Sequence, residues 1–373
     1  MRAIVVGAGI GGVTAAVALE GCGWQVLVLE RSAELGEVGA GISVWPSSVA
    51  ALEQLGVVGV QKAAVTAGPA GLRQPNGRWV VEAPDLGVEI PVMIHRAQLH
   101  ELITDRFGPG VTVRTGITVT GVSQDDSGVT VRSADEEFRA ELVIAADGIR
   151  SVLRSAIHPA SKGPRYSGYT AYRGIADVDL SDGGGETWGR GQRFGFAKLI
   201  DGRVYWYATA NREAGLPPGP GGPQADVTRD FVDWHEPIPQ LLAGTPPEQV
   251  LQNDIYDLEL PLVPFGTGRV VLLGDAAHAM TPNLGRGACS AIEDAAALAR
   301  HLRGDLDLST ALSRYDAERR PVTARLVKQS RMIGRLGQID NGVLCVVRDG
   351  VLGVGGKVAG LLAKRRRVEQ SPV

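Results

Sequence analysis

The strongest constraint on the fold of this chain is a run of glycines near its start, Gly7-Ala8-Gly9-Ile10-Gly11-Gly12. Residues 2–6, Arg-Ala-Ile-Val-Val, read as a buried parallel strand that leads directly into it. After it, Val13, Ala16, Val17 and Leu19 recur at helical spacing, and Val26-Leu27-Val28-Leu29 forms a second strand closed by Glu30. Strand, glycine turn, helix, strand and acid in this order make a βαβ unit with G-x-G-x-x-G at its first turn. Gly7 permits the tight turn, Gly9 lets a pyrophosphate approach the backbone, and Gly12 lets helix and strand pack closely, with Gly11 between them. The unpaired N–H groups and positive dipole end of the helix favour phosphate. Glu30, eighteen residues after Gly12 and followed by Arg31, is placed to accept from a ribose 2′-OH and would repel a 2′-phosphate. The unit therefore predicts FAD or NAD rather than NADP.

Two later motifs repeat the pattern of a strand ending in a glycine turn. Residues 141–146 form a buried strand that runs into Asp147-Gly148-Ile149-Arg150-Ser151, with Arg154 beyond. Taken alone this is an ordinary Asp-Gly turn; at the carboxyl end of a strand it lies where ligands of open α/β sheets gather. Residues 269–273 form another strand, closed by Gly274-Asp275-Ala276-Ala277-His278. Pro282-Asn283-Leu284-Gly285-Arg286-Gly287-Ala288 follows, then an amphipathic run from Cys289 to Leu302. Asp275 offers a carboxylate to sugar hydroxyls, Gly285 and Gly287 let backbone lie against a flat ring, and the helix dipole favours negative charge on that ring. His278 reads as a structural hydrogen-bonding residue, and His235 carries no assigned role.

With these residues in place, the chain resembles the single-component (group A) FAD-dependent aromatic hydroxylases with the para-hydroxybenzoate hydroxylase fold. The resemblance covers essentially the whole chain. It rests on the GAGIGG turn with Glu30, on ADGIRSVLR at 146–154, and on LLGDAAHAMTPNLGRGACSAIEDA at 272–295. It implies that Asp147 and Gly148 lie where FAD pyrophosphate and NAD(P)H are handled, that Gly274 and Asp275 hold the ribityl chain, and that Pro282 to Ala288 lines the flavin. An arginine followed three residues later by leucine contacts FAD in the family, and Arg96-Ala97-Gln98-Leu99 matches it. Gly39-Ala40-Gly41-Ile42-Ser43-Val44-Trp45-Pro46 is similar to the branch of salicylate, 3-hydroxybenzoate and urate hydroxylases. One departure is Gly285-Arg286-Gly287-Ala288, where the family often has Gly-Gln-Gly-Gly; Arg286 alters the charge near the flavin or the nicotinamide path.

The implied function is a monooxygenase that hydroxylates a small aromatic or heteroaromatic substrate, phenolic or polyketide-like, through a C4a-hydroperoxyflavin. FAD would be tightly but non-covalently bound, with NAD(P)H as a transient co-substrate and O2 consumed. The chain has no second G-x-G-x-x-G to hold a nicotinamide cofactor permanently. Two other readings stay open: an epoxidase or FAD-linked reductase of the same fold, and a non-catalytic flavin-bearing binding protein. Halogenase chemistry fits less well, because Trp234-His235-Glu236-Pro237-Ile238-Pro239 lacks the second tryptophan of the halogenase motif.

The expected fold class is α/β: a Rossmann-like FAD-binding domain with an inserted antiparallel β-sheet substrate domain and C-terminal helices. The expected divisions are 1–75, 95–164 and 265–305 for FAD, 76–94 and 165–264 for substrate, and 306–373 for a helical segment with a basic tail. In the insert, residues 169–175 alternate as a strand, while 194–200 and 203–208 form a hairpin around Asp201-Gly202 with a type I′ turn. Residues 217–223, rich in Pro and Gly, are expected as a loop. Arg203, Tyr205 and Tyr207 share one strand face and Val204, Trp206 and Ala208 the other; parity alone does not say which meets the ligand. Arg193 is a candidate anchor for an anionic or carbonyl-bearing substrate. In the urate hydroxylase branch an Arg and a Tyr at positions matching Arg193 and Tyr205 act on substrate, but that branch has an Asp where this chain has Asn283. The candidate catalytic residues are thus Arg193, Tyr205 and Pro282.

Composition sets the remaining bounds. A net charge of −3 and a pI near 6.1 argue against nucleic acid or acidic membranes as partners. The only basic run is Lys364-Arg365-Arg366-Arg367. No apolar stretch of spanning length and no signal peptide is present, and the segment 342–363 is too glycine-broken to cross a bilayer. Three scattered cysteines fit reduced thiols in a cytoplasmic protein. No metal site is expected, and the chain is expected as a monomer or homodimer.

Overall fold

The β-branched run at the start forms strand Arg2–Val6, buried at every residue but its first, in the middle of a six-stranded sheet. In this computed structural model, residues 1–36, 40–67, 71–82, 89–180, 184–304 and 306–370 are described, with side chains as far as 358. The sheet order is Gly266–Thr267, Val270–Leu272, Leu142–Ala145, Arg2–Val6, Gln25–Leu29 and Val111–Arg114. All neighbours are parallel except the short edge strand Gly266–Thr267. The three strands that end in glycine motifs therefore lie side by side, with their carboxyl ends together. Helix Ile10–Glu20 packs against helix Gly287–Leu302 through Gly11, where an added Cβ would lie 3.0 Å from both Ala291 and Leu273.

A seven-stranded sheet forms the second body, in the order Leu251–Asp257, Arg165–Ala176, Val204–Asn211, Gln192–Lys198, Gly184–Trp188, Leu72–Arg73 and Trp79–Val81. One of its faces carries Tyr172, Phe194 and Trp206, which pack on Phe231 and Leu241 from helices Gly222–Phe231 and Ile238–Ala243. Phe194 stacks on Trp206 with ring centroids 5.5 Å apart, and each such fully buried side chain stabilises the fold by about 1.5–3 kcal/mol. Arg193, Tyr205 and Tyr207 occupy the opposite face. The Pro/Gly stretch is a loop only as far as Gly221, which caps the helix that follows.

One expectation is corrected. The hairpin turn is not type I′, which needs positive φ at both central residues, and Gly202 alone has it (+86°). Instead Gly202 N–H donates to Leu199 O (3.1 Å) and Leu199 N–H to Arg203 O (2.8 Å), a longer loop with glycine at the left-handed position. Strand Leu72–Arg73 pairs with Gly184–Trp188 although it precedes residue 76, and Val92–His95 pairs with Gly41–Val44 although it precedes residue 95. These short strands complete edges of sheets built by distant segments, which no local pattern reveals. The segment 342–363 belongs to one continuous helix, Gly342–Gln370, within the region expected to be helical. Its glycines are contact points: an added Cβ at Gly356 would lie 2.7 Å from Val81 Cγ1, and one at Gly353 3.2 Å from Val80 O. The side chains of Lys364 to Arg367 lie outside those described. Among the described residues no helix is long and apolar enough to cross a membrane.

Candidate active site

At the first glycine turn, Gly7 has φ +100° and Gly12 faces it; a Cβ on either would collide with backbone, Gly7 with Ala146 O and Gly12 with Gly7 O. Both positions thus require glycine for the turn and for helix-on-strand packing. Helix Ile10–Glu20 starts at Gly9 with no side-chain cap, so its first N–H groups face the cleft. Glu30 stands at the end of the neighbouring strand, accepting from Ala8 N–H (2.7 Å) and Ser32 N–H (2.9 Å). Burial pushes its carboxyl up, but these N–H donors outweigh that and hold it below the usual range. A fixed carboxylate with spare lone pairs suits a ribose diol. Arg31 is exposed beside it, and Arg96, half-buried, opens helix Arg96–Thr104.

The second and third motifs close the same cleft. Asp147 Oδ2 accepts from Leu153 N–H at 3.2 Å, whereas its buried Oδ1 has no partner in the chain. Burial is the main influence on this carboxyl and raises it. An unsatisfied buried oxygen at the carboxyl end of a central strand is what an absent ligand with donor groups leaves behind. Arg154 ties this turn to the next one by donating to Ile149 O (2.6 Å) and Ala276 O (2.9 Å). Gly148 and Gly274 both have positive φ, and Asp275 is exposed above the sheet. Behind it, buried Asp294 accepts from Gly274 N–H (3.1 Å), His278 Nε2 (2.5 Å) and Arg319 Nε (2.7 Å). His278 thus has the structural role expected of it.

The loop that follows begins with a short 3-10 turn, Pro282–Leu284, and Gly285 at φ +59°. Pro282 is exposed and residues 283–288 are half-buried, including Ala288. A Cβ at Gly287 would meet nothing of the protein, so only a ligand could make that position close-packed. Arg286 is drawn aside, donating to Glu293 Oε1 (3.1 Å) with its guanidinium 5.3 Å from the Trp45 ring centre. Gly39, at the head of the segment running to Pro46, lies outside the described residues. The open cleft, the fixed carboxylates and the ring-side loop together fit FAD.

Opposite the loop, Arg193 is almost fully buried, at 2 % exposure. Its Nε donates to Glu186 Oε1 at 2.8 Å, its Nη2 shares that oxygen, and its Nη1 donates to Asn283 Oδ1. Asn283 is held in this orientation because its Nδ2 donates to Tyr169 Oη (3.1 Å), Thr281 Oγ1 (2.8 Å) and Ser330 O (3.0 Å). Tyr207 bonds Glu186, and burial together with that neighbouring charge pushes its phenol well above the ordinary value. Tyr205 lies elsewhere on the face. Its ring packs on Gly41, where an added Cβ would lie 2.5 Å from its Cγ, and Arg173 bonds its hydroxyl. The structure therefore brings Arg193 to the Pro282 loop and sets Tyr207, not Tyr205, beside it. Glu186 escaped notice in the sequence because Gly184-Gly185-Glu186-Thr187-Trp188 reads as turn. The alternation resuming after Gly189 and Gly191 is the signal that could have marked the segment as a hairpin strand.

Comparison with known proteins decides the family. A model describing an FAD-binding domain matches residues 1–187 and 259–330. The chain belongs to that family. The aurachin C monooxygenase/isomerase of Stigmatella aurantiaca is 38% identical over 360 residues, covering 94% of this chain and 93% of the relative. The FAD-dependent urate hydroxylase of Klebsiella pneumoniae is 34% identical, with 89% of each chain covered. The crystal structure of Klebsiella pneumoniae HpxO complexed with FAD and uric acid aligns with TM-score 0.87 at 32% identity, over 98% of this chain and 96% of that one. This flavoprotein is a flavin-dependent monooxygenase with the para-hydroxybenzoate hydroxylase fold, using FAD, NAD(P)H and O2.

Proposed function

We propose that this flavoprotein hydroxylates a small aromatic or heteroaromatic ring held between the polar face of the seven-stranded sheet and the loop 282–288. The observation that carries the reading is the Arg193–Asn283 contact, which joins that face to the loop next to Pro282. When bound, FAD supplies the redox chemistry, accepting hydride from NAD(P)H and activating O2. The glycine turn at 7–12, Glu30, Asp147 and Asp275 would hold its nucleotide and ribityl parts, with Arg31, Arg96, Gly148 and Gly274 beside them. Gly285, Gly287 and Ala288 would line the ring, and the helix beginning at Gly287 points N–H groups at charge developing there. Arg193 orients the substrate through the hydrogen-bonded frame around it. Tyr205 and Pro282 shape the walls and keep water out. Cys22, Cys289 and Cys345 are all unpaired, which fits a reducing cytoplasm.

Stopped-flow absorbance with NADH or NADPH against a panel of phenols, hydroxybenzoates and N-heteroaromatics tests this. One ligand class should speed flavin bleaching by at least roughly tenfold and yield a product carrying one atom of isotopically labelled O2. If flavin is bound and no ring compound accelerates its reduction, the hydroxylase assignment fails.

A further inference from the structure

We infer that the site selects an uncharged ring, one that offers hydrogen-bonding groups but no carboxylate. The inference rests on the placement of the substrate proposed above. Arg193 looks from the sequence like an anion anchor, yet in the fold it is already neutralised. Its Nε and Nη2 both point to Glu186 Oε1, and its Nη1 points to Asn283 Oδ1. The Trp188 ring covers one side of the guanidinium, 5.1 Å from its carbon. Arg193 and Glu186 together carry no net charge, and their side chains are 3% and 26% exposed.

Bringing a carboxylate beside this largely buried pair would add a negative charge with no cation of its own. That is costly unless a second cation arrives with it. Of the other cations on this sheet, Arg203 is exposed and paired with Asp201 (2.6 Å), Arg165 is paired with Asp257 (2.9 Å), and Arg173 lies opposite Tyr207, which lies opposite Gly195, which lies opposite Glu186. Three strand spacings separate it from Glu186, about 14 Å. Its guanidinium is engaged with Asn253 (3.2 Å) and the Tyr205 hydroxyl. Asn283 adds no charge of its own, and its amide is oriented by three acceptors, so it serves as a neutral wall. A carbonyl, phenol or ring N–H group finds partners here that an anion does not.

The test is equilibrium binding to the FAD-loaded protein, without NAD(P)H, followed by perturbation of the flavin spectrum. The probes are 3-hydroxybenzamide and 3-hydroxybenzoate, which share size, ring and hydroxyl and differ in charge. Wild type should bind the amide at least roughly tenfold more tightly than the carboxylate. Glu186→Gln, which removes the charge and keeps the shape, should shift that ratio toward the carboxylate by about tenfold or more. Asn283→Asp should move it the other way from wild type, and so provides a second reading should Glu186→Gln fail to fold. Equal or tighter binding of the carboxylate by wild type overturns the inference, as does an unchanged ratio in both variants. Binding of neither probe overturns the placement of an aromatic substrate on this face, and the inference with it.

Discussion

Glycine does two physically different jobs in this cleft, and alanine substitution separates them. At Gly12 the space a Cβ would need is occupied by the Gly7 carbonyl. Gly12→Ala should therefore destabilise the protein itself by about 1–3 kcal/mol or more. At Gly287 a Cβ meets nothing, and the residue opens a helix. Gly287→Ala should leave the melting temperature of the FAD-free protein unchanged or slightly raised, by about 0.5–1 kcal/mol equivalent, while weakening FAD retention through gel filtration. Full FAD retention by Gly287→Ala would show that no ligand approaches there, and loss of its fold would show that the position is not open. These glycines were legible in the sequence because each belongs to a glycine-bearing motif that runs from a strand into a helix. Glu186 was not, because what gives it meaning is Arg193, which only the pairing of two strands brings near.

At the scale of elements, the helices Gly287–Leu302 and Leu308–Gly337 are joined through a charge buried between them. Asp294 on the first accepts from Arg319 on the second and also from Gly274 N–H, so the helix pair and the Asp275 turn are positioned together. Burial pushes the Asp294 carboxyl up, but His278 and Arg319 pull it further down, and its net position is below the ordinary value. Its contribution is therefore fully present above the usual aspartate range, near 4, and is lost as pH falls through and below it. Asp294→Asn should cost about 3–5 kcal/mol at neutral pH by removing the buried carboxylate charge shared by Arg319 and His278. Thermal melts at descending pH should bring variant and wild type together, and a gap that stays constant down to acid pH would refute this coupling. Leu308–Gly337 and Gly342–Gln370 both lie in the C-terminal region that the sequence marks as helical. Helix propensity counts glycine as a loss of about 1 kcal/mol and takes no account of a strand, Trp79–Val81, that needs close approach.

For the whole molecule, the two sheets divide the labour and the last helix joins the second. Arg348 on Gly342–Gln370 lies 5.4 Å from the Trp188 ring whose other neighbour is Arg193, and Asp349 accepts from Gln74 Nε2 at 2.8 Å. The helix packs on strand Trp79–Val81 of the second sheet. Ending the chain at Asn341 should thus leave FAD uptake intact and weaken binding of the ring substrate about three- to tenfold, read as a rise in KM larger than any fall in kcat. Loss of flavin, or an unchanged KM, would contradict that separation. The fold class and the FAD cleft were readable from three local motifs, whereas the substrate wall is assembled from strands far apart in sequence and left no local trace. Within that wall, neighbouring residues point to opposite sides. Phe194 and Trp206 are sealed in a core of their own, while Arg193, Tyr205 and Tyr207 lie on the opposite face. A change to one of the latter need not disturb the former. Descendants of such a chain can therefore acquire new substrates one side chain at a time, on a scaffold whose folding is kept out of the experiment.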